Sequence, residues 1–365
     1  MILQKISLTN FKNYESIEID FSKGLNCFTG LNGSGKTNLL DAIHYLSLTK
    51  SAFNSIDSQN IRHNTSFFAL RAEFEEKNKN YKLVCSLKIG EKKNLKIDDS
   101  PYNKLSEHIG RFPVVLIAPN DDDLIRESSE TRRKFVDSII SQADKKYLTD
   151  LISYTHYLKQ RNSLLKRINE TGKRDLDLLN QYDGQIVTIG LRIAIIRQKF
   201  IDTILPEFTS QYKFLCDEKE HVDITYQTMV LDESFSQKLK ACLEKDIVLQ
   251  RTSMGVHRDD YSFLINDTPL RKFGSQGQQK SFLIGLKLSQ FDYIKQKKGI
   301  TPILLLDDIF DKLDDERIQK LLQMIEAKRF EQIFITDARR ERTESILQKL
   351  NTEIRVFNIH ENEIS

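Results

Sequence analysis

The sequence predicts an α/β unit whose first part is rich in strands and whose middle is interrupted by an inserted antiparallel helical arm. Three observations carry that expectation. Short β-branched and aromatic segments separated by polar turns fill the first hundred residues, two long apolar series at helical spacing follow, and apolar strand-like runs return near the end. At 365 residues the chain is long enough for such a core plus a second, smaller lobe.

In chain order, ISLTNF, SIEIDF, LNCFTG, FALRAEF and YKLVCSLKI read as strands. The character changes near Pro119. From there Phe135, Ile139, Ala143, Tyr147, Leu151, Tyr154 and Leu158 recur at helical spacing, and after the turn-like ETGKRD so do Tyr182, Ile186, Ile189, Ile193, Ile196, Phe200 and Ile204. Steps of three and four are the seam of one helix packed on another, so 120–216 is expected as the arm, turning at Gly172, with Pro206 helping to end the return helix. Residues 1–119 and 217–365 are then the two parts of the α/β unit. The later part begins with VDITYQT, a charged helix through about Leu243, and strands YSFLIN and LRKFG about the turn NDTP.

Composition excludes several classes. With 39% hydrophobic and 29% charged residues, and apolar runs such as Pro302 to Leu306 far too short to cross a bilayer, a membrane span is not expected. The N-terminal segment alternates polar and apolar residues instead of forming a secretory h-region, so a cytoplasmic location is expected. Cys27, Cys85, Cys216 and Cys242 form neither CxxC nor a spacing with histidine that suits zinc. A net charge of +3 permits nucleic acid as a partner without requiring it.

The sharpest motif is GLNGSGKTN, Gly30 to Asn38, between a buried strand and a helix. Gly30, Gly33 and Gly35 allow a tight turn that aims N–H groups at phosphate oxygens; Leu31, Asn32, Ser34 and Asn38 complete the cradle. Lys36 is placed to reach the β and γ phosphates, and the Thr37 hydroxyl to ligate Mg2+. The competing reading is a glycine-rich connector. The strand PILLLDDIF supplies the acids: Asp307 comes directly off the buried strand and suits the metal, whereas Asp308 suits a general base orienting water. Strand ends also carry merely solvated carboxylates. About 270 residues separate Thr37 from Asp307, unlike compact kinases and switch GTPases.

Just before the acidic strand stands GSQGQQKSFLIGLKLSQ, a serine-x-glycine-glutamine element opening a helix. Together with LTNFKNY, GLNGSGKTNLLDAIHYLSLTKS, APNDDD, RRKFVD, GVHRDD and LLLDDIFDKLD, it makes the chain similar over its whole length to the RecF family of ABC/SMC-like ATPases. That resemblance implies an ABC-type P-loop ATPase head, a mixed sheet with a β-rich lobe, carrying an inserted antiparallel helical arm domain. It further implies ATP and Mg2+ as cofactors, weak DNA-dependent ATP hydrolysis, and an ATP-dependent head-to-tail homodimer. In such a dimer Ser275, Gln276, Gly277, Gln278 and Gln279 of one subunit cap the nucleotide of the other, and Asp311 to Asp314 form a cross-dimer loop. Lys12 is placed near the nucleotide phosphates, and Asn120 and Asp121 in a metal- and water-sensing loop. The implied partners are duplex DNA and gapped or single-strand/duplex junction DNA, with RecR and RecO and, through them, RecA.

Three positions depart from the family pattern: Gln276 replaces a glycine, Phe53 an arginine, and Thr336 the γ-phosphate-sensing histidine of transporter cassettes. His257 and Arg258 read only as a structured turn. For DNA the sequence offers Lys159, Arg161, Lys166, Arg167, Lys173 and Arg174, with Arg192, Arg197 and Lys199 on the return helix, to be contacted mainly through phosphate. A charged run on a helix is equally a solvated face. The transporter ATPase subunit, a small-molecule phosphotransferase and a non-hydrolysing nucleotide sensor are the competing functional classes. The long arm disfavours the first, and the signature disfavours the second.

Overall fold

The computed structural model describes residues 1–216, 220–311, 314–348, 350, 352–360 and 363–364. Lys312 and Leu313 of the expected cross-dimer loop lie outside them. The chain forms two compact units: Met1–Asp121, Phe214–Cys216 and Leu283–Ser365 make the first, and Asp122–Lys213 with Asp217–Phe282 the second.

The first unit is built on two sheets. An antiparallel sheet runs in the order Tyr14–Asp20, Ile2–Phe11, Phe67–Glu76, Lys79–Lys88, Asn94–Ile97, Ser100–Pro101. Buried residues alternate with less buried ones most cleanly over Leu83–Leu87, as a sheet with one solvated face requires. The other sheet runs Glu363–Ile364, Ile354–His360, Leu25–Thr29, Ile333–Asp337, Ile303–Leu306, Val114–Ile117, parallel except for its last hairpin. Four of its strands are buried at every residue, which explains why ILLL reads as a continuous apolar run.

Parallel register decides where the chemistry collects. Leu306 lies beside Ile335, and Thr29 beside Asp337, so Gly30, Asp307, Thr336 and Asp337 emerge together at the carboxyl ends of adjacent strands. Beneath that edge Phe28 stacks on Phe357 and Phe334, and Phe21 meets Phe334 edge-on at 4.8 Å. The helix Lys36–Leu48 adds Leu39, Leu40, Ile43 and Leu46, at steps of three and four, to the same core. Each such buried side chain contributes roughly 1.5–3 kcal/mol, which fixes the helix start at the phosphate loop.

The second unit holds the helices Ser129–Ala143, Lys145–Thr171 and, up to Lys213, the 40-residue helix Leu176–Leu215. The apolar series expected as one helix across 135–158 is broken at Asp144, whose carboxylate accepts the Lys146 and Tyr147 N–H groups as an N-cap. Gly172 ends the next helix in the left-handed conformation, as read from sequence. Pro206 does not end the return helix; it sits inside it.

Two further expectations are corrected here. Residues 217–282 cluster with the helices instead of the α/β unit, and LRKF is a short helix, Leu270–Phe273, following the strand pair Asp260–Ile265 and Thr268–Pro269. Buried ion pairs account for the first. Arg161 donates to Asp183 at 2.6 Å, to Asp246 at 2.7 Å and to Thr252 at 3.0 Å; Arg197 donates to Asp137 at 2.9 Å, Asp259 at 3.1 Å and the Val256 carbonyl at 2.8 Å. Both guanidinium groups are withdrawn from solvent, at 0% and 2% side-chain exposure, so neither can touch DNA.

Candidate nucleotide-binding site

The loop after Leu25–Thr29 owes its path to two glycines. Gly30, at φ 153°, leaves no room for a Cβ against the Ile359 carbonyl, and Gly35, at φ 107°, would bring one within 2.5 Å of Asn13 Nδ2 and 2.8 Å of the Tyr14 hydroxyl. Tyr14 donates to the Gly35 carbonyl at 3.1 Å, and Asn38 Nδ2 to Asn13 Oδ1 at 2.6 Å. The turn NFKNY thus braces the cradle from behind. Leu31, Asn32 and Gly33 stay exposed at its rim.

Lys36 folds over the loop, donating to the Gly30 and Leu31 carbonyls at 2.8 and 3.0 Å. Burial pulls its ammonium pKa down, against the opposing fields of Asp308, Asp307 and Asp337. Beside it the Ser34 hydroxyl oxygen is buried without a hydrogen-bond partner. A cation, a helix N-terminus and an orphaned hydroxyl around one turn are the donor set that phosphate oxygens satisfy.

Across the strand ends, Thr37 Oγ1 donates to Asp307 at 2.9 and 3.1 Å, so the two expected metal ligands are brought together. Thr336 Oγ1 donates to the same Asp307 carboxylate at 2.7 Å and accepts the Asp308 N–H at 2.9 Å. Asp308 adopts φ 46°, a left-handed conformation uncommon for a non-glycine residue. Burial raises the pKa of Asp307, and the hydroxyls of Thr336 and Thr37 oppose that rise. Among the described residues no cluster of three or more His, Cys, Asp or Glu side chains could hold a metal alone. One hydroxyl and one carboxylate fit Mg2+ nonetheless, because Mg2+ in nucleotide sites takes one or two protein oxygens and completes its shell with phosphate and water.

Lys12 has φ 52° and reaches Asp41 at 2.6 Å, with its Nζ 5.3 Å from the Phe53 ring centroid. Asp41, fully buried on the phosphate-loop helix, also accepts Ser51 Oγ at 2.6 Å and the Ala52 N–H at 2.7 Å. Sequence reading passed over Asp41, Asn13 and Tyr14. An acid amid the apolar NLLDAI was the available signal. Asp121 accepts the Ala118 N–H at 2.9 Å and pairs with Lys287 at 2.6 Å, while Asn120 is exposed.

In the second unit, Ser275 and Gln278 form a reciprocal capping box: Ser275 Oγ accepts the Gln278 N–H at 3.2 Å and Gln278 Oε1 accepts the Ser275 N–H at 2.7 Å. The signature therefore opens its helix, with Ser275 and Gln276 exposed and Gln279 donating to the Gly274 carbonyl at 3.0 Å. GVHRDD acquires a physical account. A carbonyl can only accept, so His257 Nε2 carries the proton given to the Thr252 carbonyl at 3.0 Å, and Nδ1 accepts from the Tyr154 hydroxyl at 2.8 Å. Burial holds this imidazole neutral, its pKa lowered to about 4. Arg258 is exposed.

Among the cations expected to meet DNA, Lys159, Lys166, Arg167, Lys173, Arg174 and Lys199 are exposed. Arg174 is tied to Glu244 at 2.5 Å and Arg192 to Asp150 at 2.6 Å, so acids are nearer to these cations than the sequence suggested.

What the parallel sheet assembles at its carboxyl ends is the working face of an ABC-type P-loop ATPase head. The RecF/RecN/SMC N-terminal domain family matches residues 2–365. DNA replication and repair protein RecF of Cytophaga hutchinsonii is 47% identical over 98% of this chain and 94% of its own length, and that of Flavobacterium johnsoniae 45% identical over 98% and 100%. A solved recombination mediator protein RecF with ATP, of the RecFOR pathway, superposes with a TM-score of 0.90 at 30% identity, covering 100% of this chain and 96% of that one. A Pyrococcus furiosus Smc head domain, at TM-score 0.56 and 16% identity, shares the fold. This chain belongs to the RecF family of ABC/SMC-type ATPases. No described helix is long and apolar enough to cross a membrane.

Proposed function

We propose that this protein is an ATP-switched DNA clamp of recombinational repair: ATP closes a head-to-tail dimer on duplex DNA near single-strand gaps, and slow hydrolysis reopens it. The observation that carries the reading is the convergence of Lys36, Thr37, Asp307 and Asp308 at one sheet edge in a chain of the RecF family.

In this mechanism Lys36 exchanges the Gly30 and Leu31 carbonyls for β- and γ-phosphate oxygens, and the loop N–H groups and Ser34 take the remaining oxygens. Thr37 and Asp307 hold Mg2+, which supplies electrostatic stabilisation of the transferring phosphoryl group. Asp308 accepts a proton from the attacking water as its oxygen bonds to the γ-phosphorus and the β–γ bridge breaks. Ser275 and the helix N-terminus beside it offer donors to the γ-phosphate held by a second copy. Duplex DNA meets exposed cations such as Lys159, Lys166 and Lys173 through phosphate, and RecO and RecR use the closed state to assist RecA.

Lys36→Ala tests this directly. Removing a charge-assisted donor worth about 1.5–3 kcal/mol should weaken ATP binding roughly 10- to 100-fold and abolish ATP-stimulated retention of duplex in a filter assay. Retention that still responds to ATP at wild-type concentrations would exclude Lys36 from the switch.

A further inference from the structure

Thr336 stands at the carboxyl end of Ile333–Asp337, and its hydroxyl is hydrogen-bonded to both acids. It has one proton to give and gives it to Asp307 at 2.7 Å; its oxygen takes the Asp308 N–H at 2.9 Å. Thr336 is wholly buried, so solvent cannot substitute for either bond. Asp308, at φ 46°, holds a backbone conformation that persists in a non-glycine residue only when its surroundings over-determine it. Ile335 is fixed against Cys27 and Leu306 in the parallel ladder, so the residue after it arrives at the same place each time the sheet forms.

We propose that Thr336 is a positioning residue that couples the two acids, transmitting the orientation of the Asp307 carboxylate to the Asp308 backbone through one hydroxyl. The inference rests on the reading of Asp307 as the metal-holding acid and Asp308 as the base. Because the hydroxyl is spent on the acids, the coupling responds to what Asp307 holds. Thr37 donates to both oxygens of that carboxylate, at 2.9 and 3.1 Å, so Asp307 joins the phosphate loop to Asp308 in a single chain of contacts, Thr37–Asp307–Thr336–Asp308.

The test compares wild type, Thr336→Val, Thr336→Ser and Asp307→Asn by binding of a fluorescent ATP analogue in Mg2+ and in EDTA, by thermal melting, and by kcat and KM for ATP. Thr336→Val should lower kcat about 10- to 100-fold, as loss of a residue that orients a metal-holding acid does, and raise KM for ATP in Mg2+ by the factor of affinity that Mg2+ no longer adds. It should remove the Mg2+ enhancement of analogue binding while leaving binding in EDTA as in wild type; melting should fall only by the few degrees that the two lost buried hydrogen bonds cost, and Thr336→Ser should restore all of these properties. Wild-type behaviour of Thr336→Val overturns the coupling. So does a loss that extends to EDTA binding, or one that serine fails to rescue, since each marks a packing defect. If Asp307→Asn keeps the Mg2+ enhancement, the reading of the metal acid fails first and the inference falls with it.

Discussion

Asp308→Asn is expected to slow ATP hydrolysis by about 10²- to 10⁴-fold, the usual contribution of a positioned general base, while leaving ATP binding intact. The substitution keeps the size of the side chain and the N–H that Thr336 accepts, so the left-handed conformation and the phosphate loop are preserved. Only the ability to take a proton is lost. In the proposed cycle binding closes the clamp and hydrolysis reopens it, so the variant should accumulate as ATP-bound dimer on duplex and release it slowly. Single-turnover hydrolysis and duplex dissociation measured on one preparation check both halves. Loss of ATP affinity together with turnover would mean that Asp308 holds the nucleotide instead of activating water.

The second large effect is on stability. Arg197→Ala should destabilise the protein by about 3–5 kcal/mol, the cost of breaking a buried ion pair from one side. Its guanidinium joins Asp137 on one helix to Asp259 and the Val256 carbonyl of GVHRDD, and also donates to the Tyr147 hydroxyl at 3.1 Å. Truncation strands two carboxylates, at 15% and 3% side-chain exposure, without their cation. Urea denaturation monitored by circular dichroism gives the value. Arg197→Ala combined with Asp137→Asn and Asp259→Asn should recover part of the loss, because the uncompensated charges go with the cation. A change below 1 kcal/mol for the single variant would show that the second unit does not depend on this junction.

These residues also show what the sequence could and could not disclose. Strand, phosphate loop and helix were legible because a continuous apolar run and a fixed glycine spacing are local signals. The acids of PILLLDDIF were legible for the same reason, and parallel register then placed Thr336 beside them, a contact 29 residues away that no local pattern encodes. Arg161 and Arg197 were misread as surface cations. Their spacing held the correction: Tyr154, Arg161, Leu165 and Ile168 share one buried helix face, as do Ile193, Arg197, Phe200 and Ile204. A cation on an apolar stripe signals buried acids, and those acids lie on distant segments, at Asp183, Asp246, Asp137 and Asp259. The same pairs draw 217–282 to the helices, which is why the boundary expected at 217 was misplaced. Pro206 misled because a proline breaks an isolated helix, whereas burial of Ile204, Phe208 and Tyr212 stabilises this one on both sides.

In the proposed cycle, nucleotide binding joins two copies into a DNA-holding state. Sedimentation velocity of the purified protein with labelled duplex, ATP and Mg2+, beside Ser275→Arg, tests it most directly. Ser275→Arg leaves the phosphate loop untouched and places a bulky cation at the exposed helix start. Wild type should sediment as a dimer carrying duplex only when ATP is present, and Ser275→Arg should bind ATP yet stay monomeric and free of duplex. A wild type that remains monomeric with ATP, or that carries duplex equally without it, would contradict the clamp.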